Sequence, residues 1–140
     1  MTSLRPFHLA FPVRDLADAR AFYGTLLGCS EGRSSAEWVD FDFFGHQIVA
    51  HLSPDELEHK AHNLVDGDAV PVRHFGVILT MEAWRELVDR LARANVTFLI
   101  APEIRFEGLP GEQATFFIRD PSGNALEFKA FENDTRIFAR

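Results

Sequence analysis

Apolar residues along this chain change between a spacing of two and a helical spacing, and the change occurs twice. Phe7-His8-Leu9-Ala10-Phe11-Pro12-Val13 reads as a strand, with Pro12 marking an edge or a bulge. From Leu16 to Leu27 the apolar positions Leu16, Ala19, Phe22, Tyr23, Leu26 and Leu27 recur as on one face of a helix, with Asp15 as its cap and Gly28 to end it. Glu37 to Phe43 and Gln47 to Leu52 flank a turn at Gly45-His46 and predict a strand pair, with a short extra strand near Ser30 to Ser34. Then the order begins again. Val72 to Thr80 predicts a strand, and Glu82 to Ala94 a helix with Trp84, Leu87, Val88 and Leu91 on one side. Val96 to Ile100, Gln113 to Arg119 and Ala125 to Phe131 predict strands, the last two joined by the turn Asp120-Pro121-Ser122-Gly123-Asn124. Glu103 to Glu112, with Gly108, Pro110 and Gly111, is expected to be a mobile loop.

The fold class is therefore α+β, built from two βαβββ units in a single domain spanning 1–140. The first unit runs over about 5–53 and the second over about 72–131, with 54–71 as a connector. Identity between the halves is low, so the repeat rests on order and spacing. Two such halves can pair curved sheets around a cleft.

Composition narrows the partners. Hydrophobic residues make up 46% of the 140, enough to bury a core without a disulfide. The 14 phenylalanines cluster at Phe41, Phe43 and Phe44 and at Phe116 and Phe117, as strands around an apolar pocket would require. A formal charge of −7 with no basic run argues against nucleic acid and against an anionic membrane surface. The single Cys29 cannot form an internal disulfide, which fits a reducing compartment, and it is expected to pack. Met1-Thr2-Ser3-Leu4-Arg5-Pro6 lacks the apolar stretch of a signal peptide, so a cytoplasmic location is expected.

The candidate chemistry sits at matched points of the two halves. His8 and His74 each lie in a first strand, about seven residues before a helix. His51 lies six residues past Gly45 and Glu127 four past Gly123, both even offsets that allow the side chains to face one side of their sheets. Two histidines and a carboxylate suit a divalent transition ion and leave adjacent positions open. Singly, a strand histidine is more often a hydrogen-bonded structural residue, and Glu127 lies between Leu126 and Phe128, where alternation alone would send it to solvent. His46, His59 and His62 fall in a turn and the connector and are expected on the surface.

These residues resemble the vicinal oxygen chelate superfamily, which includes glyoxalase I, extradiol dioxygenases, fosfomycin resistance enzymes and bleomycin-binding proteins. The resemblance lies in His8-Leu-Ala-Phe-Pro-Val-Arg-Asp-Leu-Ala-Asp-Ala-Arg-Ala-Phe-Tyr-Gly-Thr-Leu-Leu-Gly28, in His74-Phe-Gly-Val-Ile-Leu79 and in Asp120-Pro-Ser-Gly-Asn-Ala-Leu-Glu-Phe128. It implies a cupped sheet around one divalent metal ion held by His8, His74 and Glu127. The ion would be Fe2+ foremost, with Zn2+, Ni2+ or Mn2+ as alternatives. Where glyoxalase I has a fourth ligand, a glutamate, the first half offers His51. The resemblance thus implies an enzyme of the dioxygenase-like branch, chelating vicinal oxygens of a small apolar or aromatic substrate, with His51 as acid–base group or fourth ligand. A glyoxalase-like isomerase or lyase, and a non-catalytic binding or resistance protein, are the alternatives. Small members commonly form homodimers, some with the metal site shared between subunits.

Overall fold

The computed structural model describes residues 4–57, 61–65 and 67–140. It shows the α+β class and the two βαβββ units. By compactness the first unit ends at Glu58 and takes in the turn Asp120–Gly123, while the second comprises the remainder.

In the first unit β1 (His8–Val13) leads into α1 (Leu16–Ala19), where the Asp15 carboxylate accepts from the Asp18 amide at 2.9 Å. The helix continues as a π-helical stretch over Arg20–Leu26, with the Leu27 amide reaching back to the Phe22 carbonyl. Gly28, at a φ of 76°, then turns the chain out of it, a conformation that favours glycine. Three strands follow, β2 (Glu31–Ser34), β3 (Trp38–Phe43) and β4 (His46–Leu52), in the order β1-β4-β3-β2 with β1 and β4 parallel. Strand alternation buries Val39, Phe41 and Phe43 with Ile48 and Ala50, and the rings of Phe11, Phe22 and Tyr23 join Phe41 in the core. The Tyr23 hydroxyl donates to buried Asp120 at 2.8 Å, and the Ser122 hydroxyl accepts from the Arg14 amide. Burial first, and then the Asp120 carboxylate, pushes the Tyr23 phenol well above its ordinary value. Cys29 is buried, as packing requires.

The second unit opens with a hairpin, β5 (Ala61–Val65) and β6 (Asp68–Val72), inside the segment that reads in sequence as a connector. Next come β7 (His74–Leu79) and α2 (Met81–Arg93), capped by the Thr80 hydroxyl accepting from the Ala83 amide. The sheet is completed by β8 (Ile100–Arg105), β9 (Gln113–Arg119) and β10 (Ala125–Ala130), in the order β7-β10-β9-β8 with β7 and β10 parallel. Trp84, Leu87 and Leu91 are buried, and the Trp84 indole donates to the Phe128 carbonyl at 2.9 Å while its ring meets Phe116. Phe116, Ile118, Leu126 and Phe128 thereby form the buried floor of the sheet.

The eighth strand departs from expectation. It occupies Ile100–Arg105, later than Val96–Ile100, and its last three residues lie in the stretch expected to be a mobile loop. Arg105 explains the shift. Its guanidinium, almost wholly buried, pairs with Asp68 and Glu103 at 3.0 Å each and donates to the Val65 carbonyl, so a polar stretch is held as a strand. Pro102, which has no amide hydrogen, lies within the register shift between Ile100 and Glu103. Beyond the strand, the Gly108 amide donates to Glu112 and the Leu109 amide to the Phe106 carbonyl, giving the 106–112 segment turns of its own.

No helix among the described residues is long and apolar enough to cross a membrane.

Candidate functional site

His74 opens β7 and Glu127 lies on the adjacent strand β10, two positions past Ala125, the residue paired with His74. The side of β10 opposite Leu126 and Phe128 faces His74, Thr115 and Phe117, so alternation turns Glu127 away from the hydrophobic floor without sending it to solvent. It is buried, at 8% exposure.

The pair is held from behind on both sides. His74 Nε2 lies 3.2 Å from Glu127 Oε1. Nδ1 donates to the Pro71 carbonyl at 2.6 Å, and the edge of the ring meets Phe117 at a centroid distance of 5.0 Å. The Thr115 hydroxyl donates to Glu127 Oε2 at 2.6 Å. The hydrogen bond with Glu127 raises the His74 pKa above its ordinary value, burial opposes that rise, and the Pro71 carbonyl adds to it. Burial pushes Glu127 up, but hydrogen bonds from His74 and Thr115 outweigh it and hold the carboxyl below its ordinary value. The two directions agree, since each group favours the charged form of the other.

The same geometry suits a cation in place of the shared proton. Nitrogen and oxygen ligands bind a transition ion at about 2.0–2.2 Å, so two donors at adjacent positions of one ion lie roughly 3 Å apart. The 3.2 Å between Nε2 and Oε1 matches that spacing. With Nδ1–H committed to a carbonyl, Nε2 is the nitrogen offered, which is the outer-sphere arrangement that orients ligand histidines. Beside the pair is an open cavity of about 260 Å³.

His8 shows the same tethering in the first unit, where its Nδ1 donates to Gln47 Oε1 at 2.7 Å and the side chain is exposed. His51 lies exposed near the end of β4, opposite Pro12 and Trp38. The symmetry inferred from turn offsets is corrected by strand register. His8 pairs with Gln47 as His74 pairs with Ala125, which makes Val49 the counterpart of Glu127 and His51 the counterpart of Lys129. The offsets mislead because the turns differ. Phe44 and Gly45 form a two-residue turn, both with positive φ, whereas the second unit uses Asp120 to Asn124. His51 does face the same side of its strand as Val49.

Among the described residues no three or more His, Cys, Asp or Glu side chains are gathered so as to hold a metal. The structure thus brings together His74 and Glu127, and places His8 and His51 in the first unit. Of the remaining histidines, His46 is half-buried and accepts from the Phe7 amide at 2.8 Å through Nδ1, so it fixes the start of β1 and is not a bare surface residue. His59, and the side chain of His62, lie outside the described residues. Thr115, Gln47 and the Pro71 carbonyl were not marked by any motif, since each acts through a cross-strand position or a backbone atom.

Several known proteins share this chain's sequence or fold. A solved glyoxalase/bleomycin resistance protein/dioxygenase from Alicyclobacillus acidocaldarius is 37% identical, with a TM-score of 0.83 over 95% of this chain and 96% of that one. The virulence protein STM3117 of Salmonella typhimurium is 27% identical over 124 residues, covering 89% of this chain and 82% of that protein. The fosfomycin resistance protein FosX of Listeria monocytogenes shares the fold at 18% identity, with a TM-score of 0.69 over 97% of this chain and 98% of its own. The sequence model of the Glyoxalase/Bleomycin resistance protein/Dioxygenase superfamily matches residues 5–128, so the chain belongs to that superfamily.

Proposed function

We propose that the chain is a metal-dependent enzyme of the dioxygenase-like kind, acting on a small molecule that presents two vicinal oxygens, with His8, His74 and Glu127 holding one divalent ion. The observation that carries this reading is the His74–Glu127 pair, whose donors have the spacing of adjacent ligands and whose outer atoms are tied to Pro71 and Thr115. Members of the superfamily typically bind divalent metals. His8, with Nδ1 committed to Gln47, offers Nε2 in the same manner. A set of two histidines and one carboxylate leaves open positions and is the ligand type of non-haem Fe(II) oxygenases, in which the ion polarises bound oxygens and supplies redox chemistry.

The chain's own residues divide the remaining work. The Pro71 carbonyl keeps the His74 tautomer, and the Thr115 hydroxyl holds one carboxylate oxygen so that the other is presented. His51 is the acid–base group in this reading, as the imidazole that shares a face of β4 with Val49, the register counterpart of Glu127. A glyoxalase-like four-ligand site would draw its fourth donor from β4 at the counterpart of Glu127. Register sets Val49 there, and this favours the three-ligand reading.

The direct test is oxygen uptake by protein loaded anaerobically with Fe2+ and offered a panel of catechols. Uptake coupled to ring cleavage is expected, and no uptake with any of them, from iron-replete protein, would sink the oxygenase assignment. Turnover of a 2-oxoaldehyde–thiol adduct under nitrogen would instead establish the isomerase.

A homodimer with a shared site belongs to the same proposal, His8 and His51 coming from one subunit and His74 and Glu127 from the other. Mixing His8→Ala and Glu127→Ala parents should then restore one metal centre per mixed dimer. An in-chain site predicts none, so elemental analysis of the separated mixed dimer decides between them.

A further inference from the structure

The cavity beside β7 contains a charge that metal ligation does not use. Its wall is formed by His74, Gly76 and Ile78 from β7 and by Glu127 and Lys129 from β10. Lys129 follows Glu127 by two residues, so both side chains leave the same face of the strand. In register it stands between two uncharged neighbours, Ile78 on β7 and Thr115 on β9. Among the described residues it forms no ion pair and no side-chain hydrogen bond. The carboxylate on the same face of the strand is already engaged, Oε1 of Glu127 with His74 and Oε2 with Thr115. Yet the Lys129 charge lies close enough for its field to reach both members of that pair.

A lysine in such a place could cover apolar surface with its stem and leave its ammonium in water. Three features argue for more. It lines the cavity that contains the candidate ligands, it forms no ion pair among the described residues, and the chain as a whole is acidic at −7. An ion held by two neutral histidines and one carboxylate would add a net positive charge to the same cavity. Nothing on its wall offsets the sum.

We propose that Lys129 is the counter-charge for an acidic substituent of the ligand, so that the substrate is a small organic anion whose oxygen pair faces His74 and Glu127 and whose carboxylate faces Lys129. Two residues along a strand advance by roughly 6.6 Å. That is close to the span between a phenolic oxygen and a carboxylate across one benzene ring, which sets the size of the molecule. Gly76, with no side chain, keeps the wall between them low. The placement of the oxygen pair rests on the proposed metal site; the recognition of the carboxylate by Lys129 does not.

The test uses zinc-loaded protein, to prevent turnover, and measures calorimetric affinities for catechol and for 3,4-dihydroxybenzoate, with zinc content determined alongside. Wild type should prefer the acid by about fivefold, the order of a partly exposed ion pair, and the preference should shrink as salt is raised. Lys129→Met should abolish the preference and Lys129→Arg should keep it. An equal preference in wild type and Lys129→Met, or none in wild type, overturns the inference. Should the protein retain no zinc, the metal reading fails by itself, and Lys129 is judged on metal-free protein by benzoate against benzyl alcohol. There too the acid should bind more tightly in wild type and Lys129→Arg, and no such difference would refute the assignment.

Discussion

Glu127→Gln should remove tight binding of a divalent ion while leaving the fold in place. Glutamine has nearly the same shape and can still accept from the Thr115 hydroxyl, so packing around the site is preserved. It has no negative charge to offset a cation, and its amide is a poor donor to a transition ion. Removing an outer-sphere partner from a metal site typically costs about 10–100-fold in affinity, and loss of a ligand should exceed that, so a fall of at least roughly 100-fold is expected. Competition with a chromophoric chelator reads it directly, and unchanged affinity would refute the assignment. The same substitution changes the metal-free protein in a predictable sense. His74 is raised in the folded state, so its contribution is complete at low pH and disappears as pH rises through the raised value. Glu127 is lowered, so its contribution is complete above its unfolded value and disappears as pH falls through the depressed one. Wild-type metal-free protein should therefore be most stable between those two limits. In Glu127→Gln both limbs should flatten, and the His74 ring protons should titrate at lower pH by NMR. Metal affinity in wild type should in turn rise with pH until the raised His74 value is passed, because the ion must displace that proton.

What could be read in the sequence was whatever depends on local periodicity and on residues with special backbone demands. Asp15 caps α1 and Gly28 ends the helical segment, and β9 spans Gln113–Arg119, the run that reads as a strand in sequence. The histidine and glutamate of the second unit were recognisable by type and place. The support of the pair was not. Thr115 is one of several apolar-flanked positions in β9, and only pairing with β10 shows that it faces Glu127. The Pro71 carbonyl is a backbone atom with no sequence signature. The bounds of β8 are not legible locally, because burial of Arg105 depends on Asp68, distant in sequence, and on the Val65 carbonyl. Counting from the turn glycines sets His51 against Glu127 because it assumes equal turns. Counting from the parallel pairing of first and last strands in each unit corrects this, and that pairing is tertiary information.

Gly76→Ala should be the most damaging small substitution in the second unit. Gly76 pairs with Glu127 across the parallel strands β7 and β10, and the two backbones approach so closely there that no Cβ fits. A Cβ at position 76 would lie 1.5 Å from the Glu127 carbonyl oxygen and 2.6 Å from its carbon. These are backbone atoms in a hydrogen-bonded strand, so no side-chain rotation relieves the overlap. β7 must move away from β10. Overpacking in a core costs about 1–3 kcal/mol even where side chains adjust, and displacement of a strand belongs at or above the top of that range. For a domain of this length that corresponds to a fall of about 10 °C in the unfolding midpoint. The consequence reaches the site, since His74 is two residues away on the strand that moves and its 3.2 Å approach to Glu127 depends on this register. Metal affinity should fall with stability. Gly24→Ala is the internal comparison, because a Cβ there meets only the Cys29 carbonyl at 3.8 Å and a Phe41 ring atom at 3.9 Å, ordinary contacts. Helix propensity then favours alanine, and the midpoint should hold or rise slightly. Thermal unfolding of both metal-free variants checks the pair. A Gly76→Ala protein that melts with wild type would mean that the close approach of β7 to β10 is not what holds the candidate ligands together.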